Sequence, residues 1–164
     1  MNVVLNQNEI DIDSVFFNEP IKNSIIDNGL FIRILYSTDI MVLNGIYVNV
    51  PFKTLYKSND GNKIKLLANV QDNLDIIEFI KNVEKSILEK HALHQYPLHK
   101  KKNFKLSEQI STGYIKYIMD NAISNSYILK ISGIWESSTE YGLTFKFIEI
   151  NHQLNIDLVE PAYT

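Results

Sequence analysis

Residues 127–150 read YILKISGIWESSTEYGLTFKFIEI. Two apolar, aromatic-rich runs flank the polar stretch ESSTEY, the pattern of a β-hairpin. In the first run Tyr127, Leu129, Ile131 and Trp135 alternate onto one face, with Gly133 between the last two, while Lys130 and Ser132 take the other. In the second, Leu143, Phe145 and Phe147 share a face and Thr144 and Lys146 point away. A hairpin with one apolar face and one face of lysines and hydroxyls belongs inside a small β-rich barrel or sandwich rather than an enzyme scaffold.

Working towards the N-terminus, residues 63–70 (KIKLLANV), 41–50 (MVLNGIYVNV) and 31–37 (FIRILYS) read as three further strands. Ser58–Asn62, with Asp60–Gly61, forms a turn before one of them, and Thr38–Asp39 a tight turn between the other two. Asn44–Gly45 is either a turn or, preferably, a bulge or bend in a long curling strand that Pro51 closes. Alternation buries Ile32, Ile34, Ile46, Val48 and Val50. Between the strands and the hairpin, residues 73–91 carry Leu74, Ile77, Ile80, Val83, Ile87 and Leu88 at helical spacing, with charges, Glu84 among them, on the opposite side. Asp72 is a candidate N-cap, and Lys90 and His91 suit the helix C-terminus. Residues 92–105 make a basic connector around Pro97, and 107–119 predict a short helix or a strand starting near Gly113.

Three strands, a helix and two strands is the order of an OB-fold. The expected class is therefore mainly β with one long α-helix: an OB-fold-like five-stranded Greek-key barrel with an N-terminal extension. All 164 residues are assigned to a single domain. Residues 1–30 form an arm or extra strand, 31–150 the OB-like core, and 151–164 a tail. Hydrophobic residues make up 45% of the chain, which excludes a disordered one, and no run reaches the length of a membrane span. The N-terminus lacks a basic segment followed by an apolar block, so no secretory leader is expected. With no cysteine, a disulfide framework and a thiolate zinc site are excluded, and an intracellular location is expected. Arg33 is the single arginine among 16 basic residues, and Ile and Asn are abundant, as an AT-rich coding sequence produces. Net charge is −3, so any nucleic-acid contact must come from a local patch.

Segments 31–48 (FIRILYSTDIMVLNGIYV) and 128–147 (ILKISGIWESSTEYGLTFKF), with FKLSEQISTGYIKYIMDN at 104–121, resemble OB-fold single-stranded-DNA-binding proteins of large DNA viruses. The resemblance covers under half of the chain. It implies a non-catalytic, sequence-tolerant single-strand binder in viral DNA replication, repair or recombination. A host-nuclear or cytoplasmic virus-factory location would follow. Self-association is an expected accompaniment, and the tail, with Asp157, Glu160 and Tyr163, is a candidate contact for replication proteins or a self-association arm. The rival class is a structural or interaction domain without nucleic-acid binding.

The candidate contacts follow from what a single-strand binder needs, cations along the phosphates and aromatic faces for the bases. His99, Lys100, Lys101, Lys102 and Lys105, flanked by Tyr96 and Phe104, make the densest basic run. On the sheet, Arg33, Lys63, Lys65, Lys130 and Lys146 are expected to line a groove with Tyr47 as a stacking platform. Tyr141, placed in the hairpin loop, is a candidate for gripping a base. Trp135, the one tryptophan, reads as core before it reads as a stacking residue. His91 and His94 have H-x-x-H spacing, but no cysteine or carboxylate sits at ligand spacing beside them, so no metal is expected. His152 is isolated. Glu136 and Glu140 read as solvated loop acids, as do Asp11 and Asp13. No phosphate-binding glycine loop, nucleophile elbow or zinc-protease motif is present, so neither catalysis nor a cofactor is expected.

Overall fold

The computed structural model describes residues 3–94, 99–118 and 126–150. Its elements are mostly strands: β1 Val15–Phe17, β2 Ile21–Lys22, β3 Leu30–Ser37, β4 Val42–Leu43, β5 Ile46–Pro51, β6 Leu55–Asp60, β7 Lys63–Ala68, β8 Lys101–Asn103, β9 Tyr114–Ile118, β10 Ser126–Glu136 and β11 Glu140–Glu149. Two helices accompany them, α1 Leu74–His94 and α2 Lys105–Ser111. The fold is mainly β with one long helix, the main sheet curled into a half-barrel.

The hairpin is the spine of the larger sheet, whose path runs β1-β3-β10-β11-β8, with β2 and β4 on β3 and β5 on β10. β8 lies parallel to β11, and the other pairings in this sheet are antiparallel. Strand β10 changes partner along its length: Ser126–Ile131 pair with β5 and Gly133–Glu136 with β3. A bulge between Ile131 and Gly133 marks the change, leaving Ser132 without a partner across the hairpin. One extra residue moves every later side chain to the opposite face. Tyr127, Leu129 and Ile131 are buried as expected, but beyond the bulge Ile134 and Glu136 point inward. Trp135 is therefore not core: it lies half-buried on the outer face. Glu136, expected as a solvated loop acid, is 2% exposed.

Gly45, with φ 102°, separates β4 from β5 rather than bulging one long strand. β4 pairs with β3 and β5 with β10, and a Cβ on Gly45 would stand 2.8 Å from the Ile131 carbonyl. β6, too polar to be read as a strand, pairs with β7 through the turn at Gly61, and β9 joins them in a separate three-stranded sheet. Residues 107–119 hold both alternatives in succession, the end of α2 and then β9. Within the N-terminal 30 residues, β1 pairs with β3 and Leu5 bridges to Val48.

Helix α1 packs over the core with Ile77, Ile80, Val83, Ile87 and Leu88 buried, but Leu74 is 52% exposed. Its entry is a 3-10 turn, Gln71–Asn73, so Asp72 is not the cap; Asn69 Oδ1 accepts from the Gln71 and Asp72 amides instead. Glu84, expected on a solvated face, is fully buried. Its carboxylate accepts from the amides of Leu106 and Ser107 and from the Ser107 hydroxyl, capping α2 across the helix pair. Burial pushes its pKa above the usual carboxylate range, against the lowering effect of those hydrogen bonds. Ile32, Ile34, Ile46, Val48 and Val50 are all buried as alternation demands.

Candidate nucleic-acid interface

The outer face of the main sheet is assembled by register. Phe31 pairs with Trp135 and Arg33 with Gly133 across β3 and β10. Gly133 pairs with Thr144, Trp135 with Gly142 and Lys130 with Lys146 across the hairpin. Both glycines accommodate rings lying against the sheet. A Cβ on Gly133 would come within 2.6 Å of the Phe31 ring, and one on Gly142 within 3.0 Å of the Trp135 indole. A ring laid over a glycine can press one π-face against the backbone. Phe31 and Trp135 are each half-buried.

Three cations share this face. The Arg33 guanidinium lies 6.0 Å from the Phe31 ring centre, and its Nη1 donates to Asn44 Oδ1 at 3.0 Å. Lys130 and Lys146 are directly opposed, an unfavourable pairing in the absence of an anion. Lys130 Nζ turns to 5.0 Å from the Tyr47 ring. Among the described residues no carboxylate lies within ion-pair distance of Arg33, Lys130 or Lys146. At the rim, β8 puts Lys101 in register with Glu140, whose carboxylate accepts from Asn103 Nδ2 at 3.1 Å.

The other sequence candidates divide. Tyr47 is 8% exposed, so it is a wall under Lys130 and not an open platform. Tyr141 is not in the loop. It lies within β11, 1% exposed, its hydroxyl donating to the Leu88 carbonyl at 3.4 Å and its ring 5.4 Å from His91, and burial raises its pKa. It cannot grip a base. Lys63 and Lys65 belong to the smaller sheet: Lys63 Nζ sits 5.1 Å from the Tyr117 ring, and Lys65 is paired with Asp60 at 2.8 Å. They do not join Arg33, Lys130 and Lys146 on one sheet face. In the basic run, Lys102 is in register with buried Tyr141, Lys105 opens α2 as an exposed residue, and Lys100 is engaged inward. Tyr96, Pro97, His152 and the tail residues Asp157, Glu160 and Tyr163 lie outside the described residues.

Lys100 Nζ donates to Glu136 Oε2 at 2.8 Å, and Glu136 Oε1 is 2.8 Å from His91 Nε2. His91 stands in the last turn of α1 as expected, but it is fully buried there, and its Nδ1 has no hydrogen-bond partner. Burial pushes the imidazole below its ordinary pKa, against the opposing pull of Glu136. Burial alone would raise Glu136, but its hydrogen bonds from Lys100 and His91 outweigh that and hold it below the usual range. Phe31 was not among the contacts expected from the sequence, and Trp135 was read as core in preference to a stacking residue. The signal was present in the glycines: Gly133 and Gly142 inside strands mark places where something lies against the backbone.

Among the described residues there is no cluster of three metal-ligating side chains, and no helix is long and apolar enough to cross a membrane. No family model matches the chain, and comparison with curated proteins and with solved structures returned no match.

Proposed function

We propose that this protein binds single-stranded DNA without sequence preference, using the outer face of the main sheet in the manner of an OB-like module. One observation carries the reading: two rings laid over glycines, Phe31 over Gly133 and Trp135 over Gly142, share a face with Arg33, Lys130 and Lys146, none of which has a carboxylate partner among the described residues. Bases stack on the two rings and phosphates take the cations. Lys101 extends the positive rim. The curled sheet formed by β3, β5, β10 and β11 supplies the curved surface that an OB-like groove requires. The role is non-catalytic, in replication, repair or recombination, with self-association along the strand.

The test is fluorescence anisotropy with labelled oligo-dT, duplex DNA and single-stranded RNA of equal length, at low and moderate salt. Preference for oligo-dT with steep salt dependence is expected. Arg33→Glu/Lys130→Glu/Lys146→Glu is expected to abolish binding at moderate salt. Neutralising the same three cations flattens the log affinity against log salt slope by about 2. Trp135→Ala and Phe31→Ala each lose about 1–3 kcal/mol. An apolar protein interface would lack the salt slope, and absence of binding at low salt would reject the reading in favour of an interaction domain.

A further inference from the structure

Glu136 follows the stacking residue Trp135 in β10, and Lys100 precedes the rim residue Lys101. Glu136 itself faces inward, away from Trp135, so the buried chain from His91 through Glu136 approaches the candidate interface at its Lys100 end. Its geometry is that of three groups sharing one negative charge. Glu136, with side-chain exposure of 3%, contacts His91 on one oxygen and Lys100 on the other. Lys100 is the only member open to solvent, its side chain 26% exposed. With His91 neutral, its Nε2–H donates to Glu136 and the carboxylate charge is balanced by Lys100. A proton taken up at Nδ1 makes His91 the counter-charge, and the hold of Glu136 on Lys100 weakens. The ammonium then turns outward beside Lys101.

We propose that the buried chain His91–Glu136–Lys100 couples proton uptake at His91 to release of Lys100 towards bound phosphate, so that nucleic-acid binding tightens as pH falls. The proposal rests on the reading of the outer face given above and supplies its regulation. Besides Glu136, the cleft beside His91 carries one further carboxylate, Glu19. On its own helix, Lys90 Nζ donates to the carbonyls of Ile12 and Asp13, and His94 Nδ1 bonds the Lys90 carbonyl. From β1, Phe17 packs edge-on at 5.1 Å, and from β11, Tyr141 brings a neutral phenol. Glu19 lines the same cleft of about 350 Å³ as Lys90, His91 and His94. A proton reaches His91 through that cleft.

Binding of labelled oligo-dT at constant ionic strength, from pH 7.5 to 5.5, tests this, with circular dichroism verifying the fold at each pH. The expected gain is at most about tenfold per pH unit, the limit for one linked proton. His91→Gln keeps a donor for Glu136 but cannot titrate, and loses the gain while binding at pH 7.5 persists. Lys100→Gln, at a partly exposed position, loses the gain as well. Glu136→Gln binds tightly at both ends of the range. His99→Gln retains the gain, separating this chain from an exposed histidine adjacent to the lysines. The His91 imidazole, followed by NMR, titrates at higher pH when oligo-dT is bound, a shift that a purely structural role would not give. An unchanged pH response in His91→Gln, or loss of the gain in His99→Gln alone, overturns the proposal. Binding with a flat response in the parent protein rejects the coupling and leaves the interface standing; no binding at any pH rejects both.

Discussion

Gly133 shows how much a single position decides. It has no side chain to pack, and that is its use: the Phe31 ring occupies the space over it, and a Cβ would also come within 2.5 Å of the Ile32 carbonyl. Because that neighbour is backbone, the clash cannot be relieved by a rotamer change. Gly133→Ala is expected to lower stability by about 1–3 kcal/mol, read as a shifted denaturant midpoint, and to weaken oligo-dT binding by displacing Phe31. A Cβ on Gly142 would likewise stand 2.8 Å from a backbone oxygen, the Asn103 carbonyl, and 3.0 Å from the Trp135 indole, so Gly142→Ala is expected to be destabilising too. The paired lysines give a second residue-scale expectation. Lys146→Glu creates an attractive cross-strand pair with Lys130 and is expected to raise the melting temperature slightly while weakening DNA binding, a trade that a purely structural face would not show.

At the scale of elements, the bulge at Ser132 and the buried Glu84 do the organising. The bulge lets β10 serve β5 at one end and β3 at the other, and it turns Trp135 outward and Glu136 inward in the same step. Deleting Ser132 would remove the extra residue and leave a regular ladder with Trp135 still outward and Glu136 still inward, so the β-rich circular dichroism spectrum is expected to persist. Glu84 holds the start of α2 against α1 through three hydrogen bonds. Glu84→Ala leaves two buried amides without an acceptor, and a loss of about 2–4 kcal/mol is expected, measurable by chemical denaturation. Helical periodicity announced α1 from its apolar positions. It could not announce the fate of Glu84, because that depends on where α2 docks.

His91 and Glu136 each weaken the fold as pH falls, while buried Glu84, whose pKa is raised, acts in the opposite sense. His91 in the folded protein titrates below its ordinary value, so the unfolded chain takes the proton first and stability begins to fall as pH drops below about 6.5, levelling once the folded imidazole is itself protonated. Glu136 is held below the ordinary carboxylate value, so its contribution is present above about pH 4.5 and is lost as pH falls through its folded pKa. Denaturant midpoints between pH 7.5 and 3 are expected to show these two declines, with Glu84 offsetting them in part. His91→Gln should remove the first and leave the second; an unchanged first stage would place its origin elsewhere.

The residues that needed only local information were readable from the chain. Alternation fixed the hairpin, the buried faces of β3 and β5 and the long helix, because a strand repeats every two residues and a helix every 3.6. Strong turn chemistry at Asp60–Gly61 likewise placed a boundary without reference to the rest of the molecule. Polar β6 carried no such period, since its partner strand supplies the pairing. The phase of β10 beyond Ser132 was not legible, because a bulge adds a residue without changing composition, and it is set by which strands compete for the edge. Tyr141, Glu136 and Lys100 were each misplaced for one reason: polar groups are read as solvated until their partners are known, and these partners are 36 to 53 residues away along the chain. The sequence by itself determined a mainly β protein with one long helix and abundant lysine. Only the tertiary structure decided which lysines share a face with flat aromatic rings, because that depends on strand register and docking, which no local pattern encodes.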